Sequence, residues 1–469
     1  MEDGLYRFLG LYKKSPPWVK QTVGACYGML PYRVRYGRNF DVYRRLAASA
    51  RGWNREEHDE YQFRKLKQLL EHAYSHASFY RETYRAAGVS PDDFRSLADL
   101  QKFPPLTREQ IKNHQTDMLA DNLSEDERLY TSTSGSSGVP LELYHHKDVT
   151  RPKERAFLHD LFRDFGFRKG DRVVVLRGEV IDGDRPWYYD PVDCNLILSS
   201  YRLSDATVVA SCERIRRLKP AAIRGYPFMV FKLVQLMIQH RIEPFRLKCV
   251  ILESENIYED HRRTIQEFLG CPVCHYYGHT ERLVFGGNCR LCDEYHIHPE
   301  YGHIEVIRED GSPAAEGEEG EIIATGFDNL VMPLIRYRTR DFAVRGAHGC
   351  ECGRNFLMLR KIMGRAEEFV LLANGERVPF HNLLAGIHGR TWGLVYKLQC
   401  VQNAPGSLHV NVMPANGVSG EQAVAGFVTE IRKRMDGKFL ALIGQVVTDI
   451  PVTRSGKTKL FIQQVEAAG

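Results

Sequence analysis

RVVVLRG (172–178), AAIRGYP (221–227), KCVILES (248–254) and PVCHYYG (272–278) decide the fold. Each is a short apolar run that ends in glycine or a small polar residue, the pattern of a strand buried inside a sheet. A helical pattern from Phe228 to Gln239 separates the second run from the third. Such alternation predicts βαβ units around a largely parallel sheet. In sheets of that kind, ligands gather outside the carboxyl ends of the strands.

On the N-terminal side, Glu57 to Ala87 carries Leu66, Leu69, Leu70, Ala73 and Tyr74 near the helical repeat, and Pro104–Pro105 end the next segment. Residues 1–125 are therefore expected to be mostly helical. The first forty residues set Lys13, Lys14, Lys20, Arg33, Arg35 and Arg38 among tyrosine, tryptophan and leucine. That admits weak peripheral association with a membrane surface. Pro16, Pro17 and Pro31 break any long amphipathic helix, so a helical segment packed on the main domain is the expectation. On the C-terminal side, HIEVIRED and EIIATGF read as antiparallel strands. After Gly364-Arg365 the chain restarts with FVLLANGERV, in which Asn374-Gly375 is a hairpin turn.

The 469 residues exceed what one core sustains, about 250–300. The reading is an α/β fold with a large multi-subdomain N-terminal domain and a small α+β C-terminal domain. The large domain has a helical part over 1–125 and an α/β nucleotide- and substrate-binding part over 126–364. The C-terminal domain, expected to be mobile, takes 365–469. With 64 Lys plus Arg against 59 Asp plus Glu, the net +5 is dispersed and lacks the concentrated basic footprint of a nucleic-acid binder. No apolar run approaches the roughly 20 residues of a spanning helix. MEDGLYRFLGLYKK has no secretory-signal core, which implies a cytoplasmic protein. The oligomer expected is a monomer or homodimer. Eleven cysteines in a reducing compartment do not suggest disulfides. Six of them fall in one stretch, at 271, 274, 289, 292, 350 and 352, and that clustering points to metal or redox work.

Thr131-Ser-Thr-Ser-Gly-Ser-Ser-Gly-Val-Pro140 is a glycine- and hydroxyl-rich loop followed at once by the strand-like PLELYHH. Its amides and hydroxyls can converge on phosphate oxygens, although no lysine follows Gly138 as it would in a P-loop. Further along stand Tyr276-Tyr-Gly-His-Thr-Glu281, Arg336-Tyr-Arg-Thr-Arg-Asp341, Gly364-Arg365 and Arg454-Ser-Gly-Lys457.

In this order and spacing the five segments resemble the core motifs of the adenylate-forming (acyl-CoA synthetase-like) superfamily. HASFYRETYRAAGV (76–89), SLADLQKFPPLTR (96–108) and GHTERLVFGGNC (278–289) followed by YHIHPEYGHIEV are similar to the phenylacetate–CoA ligase-like and CapK-type branch. The resemblance implies ATP- and Mg²⁺-dependent conversion of a small-molecule carboxylate to an acyl-AMP, with CoA the expected acceptor. An amine or hydroxyl acceptor on a saccharide, AMP transfer to an acceptor, and a non-catalytic pseudo-enzyme are its alternatives. It implies that Thr133, Ser134, Gly135, Ser136, Ser137 and Gly138 hold the β- and γ-phosphates, and that Glu281 holds Mg²⁺. Tyr277, within Tyr277-Gly278-His279-Thr280, would lie against adenine. Asp341 would accept from the ribose hydroxyls. Arg365 would contact ribose or phosphate, and Lys457 would meet the α-phosphate and carboxylate oxygens. The acyl pocket is expected near Tyr226-Pro-Phe, Ser254-Glu255 and Tyr277-Gly-His279.

This sequence departs from the family pattern at three places. Leu141 stands where many members have a loop lysine. Arg340 replaces the usual glycine of Thr-Gly-Asp, a position where glycine reaches positive φ and arginine does so only at some cost. Glu367-Glu368 replace the usual hinge aspartate. For the cysteines, Cys289-x-x-Cys292 with Cys350-x-Cys352 would by themselves make a four-cysteine zinc site. The resemblance instead pairs Cys289 with His296, giving Cys289, His296, Cys350 and Cys352 as preferred structural-zinc ligands on a β-rich edge, with Cys292 competing. Cys271 and Cys274 are expected to be packed thiols, and His298 and His303 ordinary surface or core residues.

Overall fold

The computed structural model describes residues 16–133, 141–177, 187–199, 203–365, 369–384, 387, 389–434, 441–451 and 458–465. The fold is a large mixed α/β N-terminal domain followed by a smaller α+β C-terminal domain.

Helices open the chain. Pro17 starts α1 (Pro17–Met29), with its fixed φ placed where no amide donor is needed. Two helices follow, α2 (Tyr32–Tyr36) and α3 (Arg38–Ala50). Asn54 and Glu57 cap α4 (Arg55–His76) reciprocally. The helical pattern over 57–87 resolves into two helices, because Ala77 is extended and α5 (Ser78–Ala86) restarts after it. The break is stabilised from outside the segment: Phe79 N–H donates to the Asp117 carbonyl and Asp121 N–H to the His76 carbonyl. Helix α6 (Arg108–Asn113) begins with a second capping box, Thr107 and Gln110.

Strands β1 (Arg128–Ser132) and β2 (Glu142–His146) pair antiparallel, and α7 (Thr150–Asp164) follows. The expected apolar runs then form strands. These are β3 (Val173–Arg177), a short antiparallel pair of β4 (Trp187–Asp190) with β5 (Asn195–Ser199), and, beyond α8 (Asp205–Leu218), β6 (Ala222–Gly225). Helix α9 (Pro227–Gln239) leads to β7 (Cys249–Leu252), and α10 (Glu259–Leu269) to β8 (Val273–Gly278). The chain continues through β9 (Phe285–Gly287), β10 (Tyr295–Ile297), β11 (Gly302–Ile307), β12 (Glu319–Gly326), β13 (Tyr337–His348) and β14 (Leu357–Arg365). HIEVIRED and EIIATGF are the antiparallel pair β11–β12, as their alternation predicts.

By internal contacts the chain divides into two compact units. The first comprises 1–170, 191–193 and 274–362. Its strands run in the order β11-β12-β13-β14-β10-β9-β8. Its core joins Leu66, Leu70, Tyr80, Phe103, Leu141, Leu283 and Leu334. The N-terminal helices belong here: α3 packs on α7, and Arg35 pairs with Asp193. The second unit comprises 171–190, 194–273 and 363–469. In its sheet, β7-β6-β3-β5 are parallel and β4 is the antiparallel edge.

The C-terminal residues add β15 (Phe369–Leu371) and β16 (Arg377–Pro379), joined around Asn374-Gly375 with Gly375 at φ +84°, as that dipeptide predicts. Beyond two short helices, α11 (Phe380–Leu384) and α12 (Gly389–Trp392), lie β17 (Val395–Ala404), β18 (Ser407–Pro414), α13 (Gly420–Arg434), β19 (Ala441–Val446) and β20 (Phe461–Gln463). They form a four-stranded sheet ordered β19-β18-β17-β20 with α13 against it. Trp392 meets His261 of α10 edge-on at 4.8 Å, and His261 stacks on Phe231 of α9 at 3.8 Å. Burial among these rings draws the His261 imidazole down to about 3, so it is neutral.

Candidate active site

The motif Tyr276 to Glu281 straddles the end of β8 and the turn into β9, whose register pairs Tyr277 with Gly286 and Gly278 with Phe285. A buried histidine holds the turn. His145, on β2, places Nε2 at 2.9 Å from the Thr280 carbonyl. Burial, then the nearby Arg282 guanidinium, draws its pKa down to about 3, so the ring is neutral and Nε2–H donates. Glu281 is buried, and its carboxylate lies 3.1 Å from Nδ1 of His279. Arg282 has φ +56° and fixes the turn's far side by donating to Thr150 Oγ1 and pairing with Glu154.

The second motif begins β13. Arg336 is a strut rather than a site residue. It forks onto Glu305 at 2.8 and 3.0 Å and donates to the carbonyls of Gln101 and Phe103. Next along the strand, the β12–β13 register slips between Glu321 and Ile323, a bulge of the kind that re-aims side chains near active sites. Arg340 lies in that bulge at φ +62°. The arginine thus adopts the conformation expected of the glycine it replaces, at roughly 1–2 kcal/mol. Its amide donates to Glu321 Oε1, and the following Asp341 amide donates to Thr339 Oγ1. The bulge delivers the Asp341 carboxylate to the first motif, where the Tyr277 phenol donates to Oδ2 at 2.7 Å. Two segments 64 residues apart in sequence are joined by that bond.

The serine-rich loop is tied at its base. Thr133 N–H donates to the Leu141 carbonyl at 2.8 Å, and Leu141 N–H donates to Thr133 Oγ1 at 2.9 Å. Leu141 is buried with Leu143 in the first unit's core, so this position serves packing and has no room for a solvated ammonium. Ser134, Gly135, Ser136, Ser137 and Gly138 lie outside the described residues, as do Lys457, Glu367 and Glu368. Arg365 ends β14, half-buried.

A second cluster joins the same two stretches of chain. Ligand atoms of Cys289, His296, Cys350 and Cys352 all lie within 4.8 Å of one another. Cys289 Sγ is 3.9 Å from Cys350 Sγ, and Cys352 Sγ is 3.4 Å from His296 Nε2. A zinc tetrahedron with bonds of about 2.0–2.3 Å requires ligand separations of roughly 3.5–3.8 Å, so the group fits that ion. His296 Nδ1 lies 3.2 Å from the carbonyls of Gly287 and Glu294, which turns Nε2 toward the sulfurs. Backbone amides of Leu291 and Cys352 approach Cys289 Sγ and Cys350 Sγ at 3.3 and 3.4 Å. Cys292 is not in the group and instead receives the Glu294 amide. Cys271 and Cys274 are buried outside it. His298 is buried against Glu300 and His303 against Gln62, polar pairs of the interior.

No family model matches the chain. Over 332 residues it is 27% identical to the phenylacetate-coenzyme A ligase of Escherichia coli (strain K12), covering 68% of this chain and 73% of that protein. Protein CapK of Staphylococcus aureus is 21% identical over 467 residues, covering 97% of this chain and 99% of the other. The chain belongs to the adenylate-forming, acyl-CoA synthetase-like superfamily. It is an enzyme, and its general chemistry is the acid activation typical of that superfamily. A solved structure of 2-hydroxyisobutyryl-CoA ligase in the postadenylation state, with a bound acyl-AMP, shares the fold. Its TM-score is 0.70 at 18% identity, covering 88% of this chain and 91% of the ligase. Among the described residues no helix is long and apolar enough to cross a membrane.

The sequence reading missed His145, the Arg336–Glu305 strut, and a charged group on β3, β6 and β7. A histidine in an alternating strand and single charges in apolar runs give no signal of their partners.

Proposed function

We propose that this superfamily member is an acid–thiol ligase: it adenylates a small carboxylic acid with ATP and Mg²⁺, releases pyrophosphate, and passes the acyl group to CoA. The observation that carries the reading is the Tyr277–Asp341 bond, which couples the two nucleotide motifs. The named activities of the phenylacetate–CoA and 2-hydroxyisobutyryl–CoA ligases support the choice of thiol. The substrate carboxylate oxygen attacks the α-phosphorus and pyrophosphate leaves. The thiolate then attacks the acyl carbon and AMP leaves with the electron pair of the broken C–O bond. A bound Mg²⁺ would neutralise charge on the phosphates.

In this reading Glu281, desolvated and set by the His145–Thr280 bond, holds the Mg²⁺. Asp341 accepts from the ribose hydroxyls, oriented by Tyr277. Tyr277 with Gly278, His279 and Thr280 lines the adenine side. Thr133 to Gly138 receive the β- and γ-phosphates, and Lys457 and Arg365 stabilise charge at the α-phosphate and ribose. Cys289, His296, Cys350 and Cys352 hold one structural zinc, whose four protein ligands leave no position for substrate.

The test is pyrophosphate release over a panel of carboxylic acids, followed by mass spectrometry of the product with CoA supplied. An acyl-CoA and free AMP are expected. Acyl transfer to an amine or hydroxyl, or AMP retained on the acceptor, would overturn the choice of CoA. No acid-dependent release would overturn adenylation.

A further inference from the structure

The parallel sheet of the second unit has a switch point. After β3 the chain proceeds through β4 to β5 on one side. After β6 it proceeds through α9 to β7 on the other, and β3 and β6 are neighbours. Adjacent strands whose connections leave in opposite directions open a crevice at their carboxyl ends, the usual place for a ligand in an open α/β sheet. The backbones are held tightly there. Tyr226 N–H donates to the Leu176 carbonyl at 3.1 Å, and a Cβ on Gly225 would come within 2.4 Å of that same oxygen.

Three charged residues meet at this point. The register aligns Val175 with Arg224 and Arg224 with Ile251. Side chains alternate along a strand, so Arg177 and Glu253, two residues beyond Val175 and Ile251, share a face with Arg224. The opposite face carries Val174, Leu176, Ile223, Val250 and Leu252, all in the apolar core. Arg224 grips Glu253 with both arms of its fork, Nε to Oε1 at 2.9 Å and Nη2 to Oε2 at 2.8 Å. That bidentate pair alone satisfies the charge of Glu253, whose side chain is 0% exposed. Yet Arg177 also pairs with Oε1 through Nη2. These three residues therefore carry one cation more than they carry anions. The surplus lies on Arg177, whose side chain is 35% exposed and whose Nε is a buried donor with no partner. A structural ion pair does not need the second guanidinium. A ligand-binding cation, clamped through Glu253 and still holding unused donors, does.

We propose that Arg177 determines acyl specificity: the acid this enzyme activates bears a second anionic group, a carboxylate or a phosphate or sulfate ester, which Arg177 receives. Arg224 and Glu253 are positioning residues that lock its guanidinium at the strand ends. The inference rests on the adenylation reading and narrows its substrate class.

The test compares matched acids with and without a second charge: succinate with butyrate, homophthalate with phenylacetate, and 3-phosphoglycerate with glycerate. ATP–pyrophosphate exchange and calorimetric binding of each acid without nucleotide are measured in parallel. At least one doubly charged acid should exceed its partner in kcat/KM by roughly 10- to 100-fold, the scale of a charge-assisted fork. Arg177→Met should collapse that ratio toward one through KM, and Arg177→Lys should restore part of it, an outcome a purely structural role would not produce. If Arg177→Met does not fold, the wild-type preference still decides. Exchange that favours the singly charged acids would overturn the inference and leave adenylation standing. Arg177-dependent binding of a doubly charged acid with no exchange would sustain the site and overturn adenylation. Neither binding nor exchange with any of the six would overturn both.

Discussion

The Tyr277–Asp341 junction and the Cys289–Cys350 corner join the same two stretches of chain, across 64 and 61 residues. One is a single phenol–carboxylate hydrogen bond beside a bulge. The other gathers four ligand atoms within 4.8 Å. The first leaves a carboxylate with further lone pairs to offer, and the second consumes every ligand it has. The division of labour follows: the corner fixes how β8–β10 meet β13–β14, and the junction can then be built from weak polar contacts and still present Asp341 and Glu281 in one arrangement.

That contrast can be broken by mutation, and the largest effect belongs to the junction. Glu281→Gln keeps shape and removes one anionic ligand. Turnover of ATP should fall about 100-fold or more, with an unchanged melting temperature. Activity within a few-fold of wild type at limiting Mg²⁺ would remove Glu281 from the metal. At the corner, Cys350→Ser with Cys352→Ser should abolish one zinc per chain and lower stability by several kcal/mol, the scale of a structural metal. Elemental analysis and denaturant unfolding check this. His296→Ala should also lose the ion, and Cys292→Ser should keep it.

A smaller effect sharpens the role of His145. Its folded pKa, about 3, lies below the unfolded value near 6.5. The unfolded chain therefore takes a proton that the folded chain refuses. The stability involved is complete above pH 6.5 and is lost as pH falls toward 3, about 2 kcal/mol of it by pH 5. Other buried histidines share this direction, so the measurement is a difference: denaturant unfolding at pH 7 and pH 5 should show a shallower decline in His145→Gln. The smallest effect is at the bulge. Arg340→Gly removes left-handed strain and adds unfolded-state freedom, for a net gain between zero and about 1 kcal/mol. A loss beyond 1 kcal/mol would mean that the arginine side chain, not its φ, is what the bulge needs.

What the sequence made legible follows physical lines. The strands β3, β6, β7 and β8 were readable because buried parallel strands are apolar without interruption. The positive φ at Arg340 was readable because the motif ordinarily places glycine there. The metal corner was readable as spacing, but the choice of His296 over Cys292 needed coordinates, since both lie close to Cys289 in sequence. The break at Ala77 was not legible, because no proline or glycine marks it and its replacement hydrogen bonds come from Asp117 and Asp121. Nor was the Arg177–Arg224–Glu253 group, whose members sit singly in three apolar runs and meet only through strand register.

Acid-dependent exchange of labelled pyrophosphate into ATP, on the purified wild-type chain with Mg²⁺ and without CoA, tests the central claim most directly. The account predicts exchange that requires both the acid and Mg²⁺ and that disappears in Glu281→Gln. Exchange independent of any acid, or none across a panel that includes singly and doubly charged carboxylates, would contradict it.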